Sequence, residues 1–122
     1  MAAYRIISDV IPGDTYKVVR SLDATPLSDA WFTIKRIPTQ NDADAIVFAH
    51  IDYTISGLYG RIEDLPDGTT VINFVLAPTL TTNLDSSGAY FYDLKIKTAG
   101  GDIYTLETGK LFTGQNITFA PN

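Results

Sequence analysis

The sequence predicts an all-β domain, two antiparallel sheets packed as a sandwich. Three observations carry that expectation. The last third reads as a hairpin: Ala89-Tyr90-Phe91-Tyr92-Asp93-Leu94-Lys95-Ile96-Lys97 alternates in character, runs into Ala99-Gly100-Gly101, and is followed by Ile103-Tyr104-Thr105-Leu106-Glu107-Thr108 and Gly109. The composition favours strands, with abundant Thr, seven Tyr and six Phe, and sparse Glu, Lys and Arg. Turn residues also punctuate the whole chain at short intervals, at Pro12-Gly13-Asp14, 23–26, 38–44, Ser56-Gly57, Pro66-Asp67-Gly68, 85–88 and 99–101. Short β-rich runs at such spacing indicate a sandwich or barrel.

Each element follows from its own pattern. Residues 5–10 read as a first strand at a sheet edge. Residues 15–22 form a second, with Tyr16 and Val18 on one face. Residues 30–37 form a third, in which Phe32 and Ile34 point one way and Trp31, Thr33 and Lys35 the other. Residues 42–51 admit a helical turn capped by Asp42 or a strand from Ala45. Ile46-Val47-Phe48 favours the strand. Residues 57–64 pair with 69–76, where Ile72, Phe74 and Leu76 alternate against Val71, Asn73 and Val75. Residues 77–84 read as a short helical connection, with Pro78 at a first helical position and Leu80 and Leu84 on one face. Residues 110–119 continue the last strand or form an extended arm.

The terminal hairpin has a testable register. A two-residue Gly100-Gly101 turn sets Ile96 opposite Thr105 and Leu94 opposite Glu107, which sends the apolar stripes to opposite faces. A three-residue loop with Gly101 left-handed sets Ile96 opposite Tyr104 and Leu94 opposite Leu106. The second is expected, with Tyr90, Tyr92 and Tyr104 on the apolar side. Glu107 then joins Asp93, Lys95 and Lys97 on the polar side.

At 122 residues the chain is expected to form a single domain, residues 1–122. Its hydrophobic fraction of 45% suffices for one cooperative core. Net charge is −5 and the pI about 4.5. The nine basic residues are scattered, with no run longer than Lys35-Arg36, which argues against nucleic acid and anionic membrane as partners. The absence of cysteine excludes a disulfide framework and thiolate metal sites. Met1-Ala2-Ala3-Tyr4-Arg5 has no signal-peptide pattern and no run is long enough for a membrane span, so synthesis in a cytoplasm is expected.

Candidate chemistry is thin. His50 is the only histidine and reads as a surface strand residue. Gly57-Leu58-Tyr59-Gly60 lacks phosphate-loop spacing and a following helix. Asp42, Asp44 and Asp52 lack the spacing and distal Glu of a calcium loop and read as solvated. Glu63 and Asp64 read as hairpin edge. Neither a metal nor a cofactor nor a catalytic residue is expected. Tyr53, Tyr59, Tyr90, Phe91, Tyr92 and Tyr104 form a glycan-stacking platform only if several are exposed together; core and interface are the usual places for such rings. Phe91 is the odd residue, an aromatic on the Asp93/Lys95 face, which points to a subunit contact.

Three blocks together resemble the small immunoglobulin-like (Ig-like) domains of tailed bacteriophages and prophages, a group that includes the N-terminal domain of the siphophage baseplate upper protein. They are Asp14-Thr15-Tyr16 through Leu22 with Ala30-Trp31-Phe32-Thr33-Ile34-Lys35-Arg36; the acidic insert Asp42-Ala43-Asp44-Ala45-Ile46; and Ala77-Pro78-Thr79 to Leu84, with Tyr90-Phe91-Tyr92-Asp93-Leu94-Lys95-Ile96, 102–106, Gly109 and Asn116-Ile117-Thr118. The match spans roughly residues 14–118. It implies an Ig-like β-sandwich of about seven to eight strands and no catalytic residues. The baseplate protein continues into a coiled coil and further domains, whereas this sequence stops at Asn122, which suggests a free-standing module.

The function expected from this resemblance is structural. The chain would be a non-enzymatic virion protein (capsid decoration, or neck, tail or baseplate adaptor) whose partners are other virion proteins and copies of itself. The alternative is an Ig-like adhesion module for carbohydrate or another host-surface ligand. Docking is expected through two β-capable arms, residues 1–11 and 111–122, and exposed aromatics. The interface candidates are Phe91, Tyr53 and Tyr59, with Leu111, Phe112, Ile117 and Phe119 in the C-terminal arm.

Overall fold

Eight strands and one helical turn appear in the order the punctuation predicts: β1 (Ala3–Val10), β2 (Tyr16–Leu22), β3 (Leu27–Lys35), β4 (Val47–Ile51), β5 (Gly60–Asp64), β6 (Thr70–Leu76), α1 (Pro78–Thr81), β7 (Ala89–Thr98) and β8 (Ile103–Thr113). The computed structural model describes residues 3–23, 25–37, 39 and 41–114. One sheet has the order β1-β8-β7-β3-β4 and the other β2-β6-β5. Every described pair is antiparallel except β1 with β8. This is an Ig-like sandwich. β2, β6 and β5 occupy the B, E and D places, β3, β7 and β8 the C, F and G places, and β4 extends the second sheet as C′.

The period-2 patterns bury one side of each sheet. Phe32 and Ile34 of β3, Leu94 and Tyr92 of β7, and Ile72, Phe74 and Leu76 of β6 all lie in the core. The sheets meet through rings: Phe32 packs on Phe74 at 5.7 Å between centroids and on Tyr92 at 5.4 Å. α1 starts at Pro78 as expected, and Leu84 is buried with Leu80 packed beside it. Beyond it, Tyr90 Oη accepts the Asp85 N–H at 2.6 Å, the tyrosine-corner bond that fixes entry into the F-position strand. The segment 42–51 realises both competing readings, a 3₁₀ turn at Asp42–Asp44 and then β4 two residues later than expected.

The terminal hairpin departs from the expected register halfway along. The loop is the three-residue Ala99-Gly100-Gly101, with Gly101 at φ 98° and Ile96 opposite Tyr104. A β-bulge then shifts the pairing between Leu94 and Lys95, and Leu94 faces Glu107 instead of Leu106. The extra residue flips the remainder of β8 by one position. Glu107 therefore turns inward, Leu106 is only half-buried, and Tyr104 remains 55% exposed.

The N-terminal segment is not a free arm. β1 is an edge strand of the sheet, paired from Ala3 to Val10 with β8, with an irregularity after Ile7 and Asp9 at φ 63°. Gly109 makes this pairing possible, because a Cβ there would lie 1.7 Å from Arg5 O. Leu111, expected at an interface, is fully buried in the core because the bulge sets its side chain inward. Residues 115–122, including Ile117 and Phe119, lie outside the described residues.

Candidate interaction surface

The outer face of the five-stranded sheet is assembled from the residues that alternation turns away from the core. Its rows run across the strands. His50, Trp31, Lys95 and Thr105 form one, Phe48, Thr33, Asp93, Thr108 and Tyr4 the next, and Lys35, Phe91, Lys110 and Ile6 a third. Phe112 and Ile103 stand at opposite ends. The face is rich in large apolar groups: Phe48, Ile103, Tyr4, Ile6 and Phe112 are all exposed. It holds two shallow grooves. One, of about 290 Å³, lies among Tyr4, Lys35, Phe91, Asp93 and Thr108. The other, of about 210 Å³, lies among Trp31, Thr33, Phe48, Lys95 and Ile103.

The charges on this face are mostly positive. Lys35, Lys95, Lys97 and Lys110 share it with Asp29 and Asp93, on a chain whose net charge is −5. At one margin His50 Nε2 lies 2.6 Å from Asp29 Oδ2, and its ring stacks on Trp31 with centroids 5.5 Å apart. Asp29 is held below the usual carboxylate range, chiefly by its hydrogen bond with Ser28 and further by His50. The pair holds the imidazole stacked on the indole at the sheet surface.

A second polar cluster lies between the sheets, centred on the buried Glu107 carboxylate, with Arg20 a quarter exposed and Arg5 largely in solvent. Arg20 Nε and Nη2 donate to Glu107 Oε1 and Oε2 at 2.8 and 2.9 Å, and Tyr92 Oη donates to Oε2 at 2.5 Å. Arg5 Nε adds a contact at 3.5 Å. Burial pushes the Glu107 carboxyl up. The hydrogen bonds from Arg20 and Tyr92 and the positive charges outweigh it and hold the group below its ordinary value. Tyr92 is pushed well up by burial and by Glu107. With β2 in one sheet and β7 and β8 in the other, the cluster ties the sheets together; its partners are all spoken for, so it reads as structural.

The sequence candidates separate accordingly. Phe91 and Phe112 lie on the outer face of the five-stranded sheet. Tyr59 is half-buried against the core, and Tyr53, in the loop after β4, donates to Asp64 Oδ1 at 3.2 Å. The tyrosine platform does not form, because Tyr90 and Tyr92 are core residues. Trp31, Phe48 and Ile103, which line the second groove, were not singled out. Trp31 was legible as an outward residue; Phe48 was hidden by the helix–strand ambiguity of its segment. Asp52 caps its own loop by accepting the Thr54 N–H at 2.8 Å. Among the described residues no group of three or more His, Asp or Glu side chains is placed to hold a metal ion, and no helix is long and apolar enough to cross a membrane.

No protein-family model matches the chain, and no curated protein matches it. Among solved structures it is similar to a 2,6-sialyltransferase of Vibrionaceae Photobacterium sp. JT-ISH-224, at 12% identity and a TM-score of 0.35. That match covers 93% of this chain and 18% of the enzyme's, so the chain spans under a fifth of its length. A likeness at that level carries no functional argument.

Proposed function

We propose that this chain is a non-enzymatic assembly module of a tailed-phage virion, acting as a decoration or adaptor that docks through the outer face of its five-stranded sheet. The observation that carries the reading is the aromatic and aliphatic character of that face. Phe48, Phe91, Phe112, Tyr4 and Ile103 stand where a solvated sheet face carries polar side chains. Aromatic groups interleaved with cations are the composition of a protein-binding patch. The resemblance to phage Ig-like domains supplies the setting.

Quantitative mass spectrometry of tailed particles, purified from cells carrying the gene, tests this. Hundreds of copies per particle indicate capsid decoration, and roughly six to eighteen a neck or baseplate ring. Absence from the particles refutes the reading. The adhesion alternative has one observation in its favour, the Trp31–His50 platform beside the Phe48 groove. Saturable binding of a host-surface polysaccharide that Trp31→Ala abolishes would establish it.

A further inference from the structure

The connection between β4 and β5 is built to hold two aliphatic side chains out in water. It folds as two successive turns, with the Gly57 N–H donating to Thr54 O at 3.2 Å and the Gly60 N–H to Gly57 O at 3.4 Å. Its ends are tied down, since Asp52 O accepts the Ile62 N–H at 2.7 Å and Tyr59 O the Val75 N–H at 2.8 Å. Ile55 and Leu58 occupy the second position of each turn, a place that Pro favours. They are 81% and 78% exposed. A held pair of this kind contributes nothing to the packing of its own chain.

The same molecule carries a recess of matching chemistry. The groove among Trp31, Phe48 and Ile103, at about 210 Å³, is an open recess whose apolar walls suit a branched aliphatic side chain. The charges are complementary as well. Around the tip, residues 52–64 carry Asp52, Glu63 and Asp64 against Arg61 alone, whereas the groove lies on the lysine-rich face. The loop passes from the β4 edge of one sheet to the β5 edge of the other, and its residues are not among those that line the groove of their own copy. Two outer faces packed on each other would oppose like charges, which disfavours a symmetric pair.

We propose that Ile55 and Leu58 of one copy of this chain insert into the Trp31–Phe48–Ile103 groove of a second copy. The contact is heterologous. It leaves a free tip at one end and a free groove at the other, and so repeats into a ring or a filament. It rests on the assembly reading above and names its partner. A tip of this size makes a small interface, so association between two copies is weak, in the range of ~0.1 mM, and weakens further with salt.

Sedimentation velocity of the full chain up to about 1 mM tests the proposal. Three proteins are compared: the unaltered chain, a tip variant (Ile55→Asp with Leu58→Asp), and a groove variant (Phe48→Asp with Lys95→Glu). Lys95→Glu alone serves as a second groove variant, and circular dichroism melts check that all fold. The unaltered chain is expected to associate, less so in high salt, and each variant to sediment as a monomer. An equimolar mixture of tip and groove variants retains one intact contact and is expected to form 1:1 heterodimers and nothing larger. Three results overturn the proposal: a monomeric unaltered chain at the highest concentration, variants that associate as it does, or a mixture that stays monomeric while the unaltered chain associates. A monomeric chain that is nonetheless found in purified particles removes this contact and leaves the assembly reading standing. A chain that self-associates but is missing from particles does the reverse.

Discussion

Replacing Glu107 by Ala is expected to be among the most damaging single substitutions in this molecule. The residue is 2% exposed and its carboxylate accepts hydrogen bonds from Arg20 Nε, Arg20 Nη2 and Tyr92 Oη. Its removal leaves the Arg20 guanidinium with its bond to Val19 O at 3.0 Å, and leaves the Tyr92 hydroxyl facing the gap. Breaking a buried ion pair by deleting one partner costs about 3–5 kcal/mol. Arg20 is a quarter exposed and recovers part of its hydration, which places the cost near ~3 kcal/mol. For a domain of this size that corresponds to a fall in Tm of roughly 10–15 °C. Calorimetry and urea unfolding measure it, and a double-mutant cycle with Arg20→Met isolates the pair. A cost below about 1 kcal/mol would refute the reasoning. So would the same cost in the Arg20→Met background, because the ion pair would then contribute nothing to the tie between sheets.

Three further outcomes are expected. The lowered Glu107 pKa makes stability depend on pH in a definite direction. The unfolded carboxyl takes up its proton first, near pH ~4.3, so stability present above that value is lost as pH falls through it towards the folded pKa, and Glu107→Gln should flatten this acid limb in pH-dependent melts. Leu94→Ala, at a fully buried site between β3 and β8, should cost about 2–5 kcal/mol, whereas Lys97→Ala should stay within about 0.5 kcal/mol; similar small effects in denaturant melts would contradict the hairpin packing. Gly109→Ala places a Cβ on Arg5 O and should detach β1, seen as lost hydrogen-exchange protection of β1 amides with β3 and β7 still protected.

Much of the fold was legible because strands with one wet face write their geometry into the sequence. The alternation in β3, β6 and β7 identified core residues such as Phe32, Phe74 and Leu94, and Pro78 marked the helical turn. Gly101 fixed the loop of the hairpin, since a left-handed residue was needed there. The chain by itself therefore determined an all-β sandwich, its strand sequence and the inward side of most strands. Tertiary structure decided the rest. The bulge opposite Leu94 depends on the β2 sheet, which presents Arg20 to the carboxylate it turns inward, and no local pattern encodes a partner 87 residues away. The parallel docking of β1 on β8, which makes an edge strand of an expected arm, depends on Gly109 admitting the Arg5 backbone. The outer-face groove joins Trp31, Phe48, Lys95 and Ile103 from four strands, so it exists only once β4, β3, β7 and β8 lie side by side. Periodicity reports which side of a strand is dry; which strands are neighbours is set by long-range pairing, and a surface site is a property of neighbours.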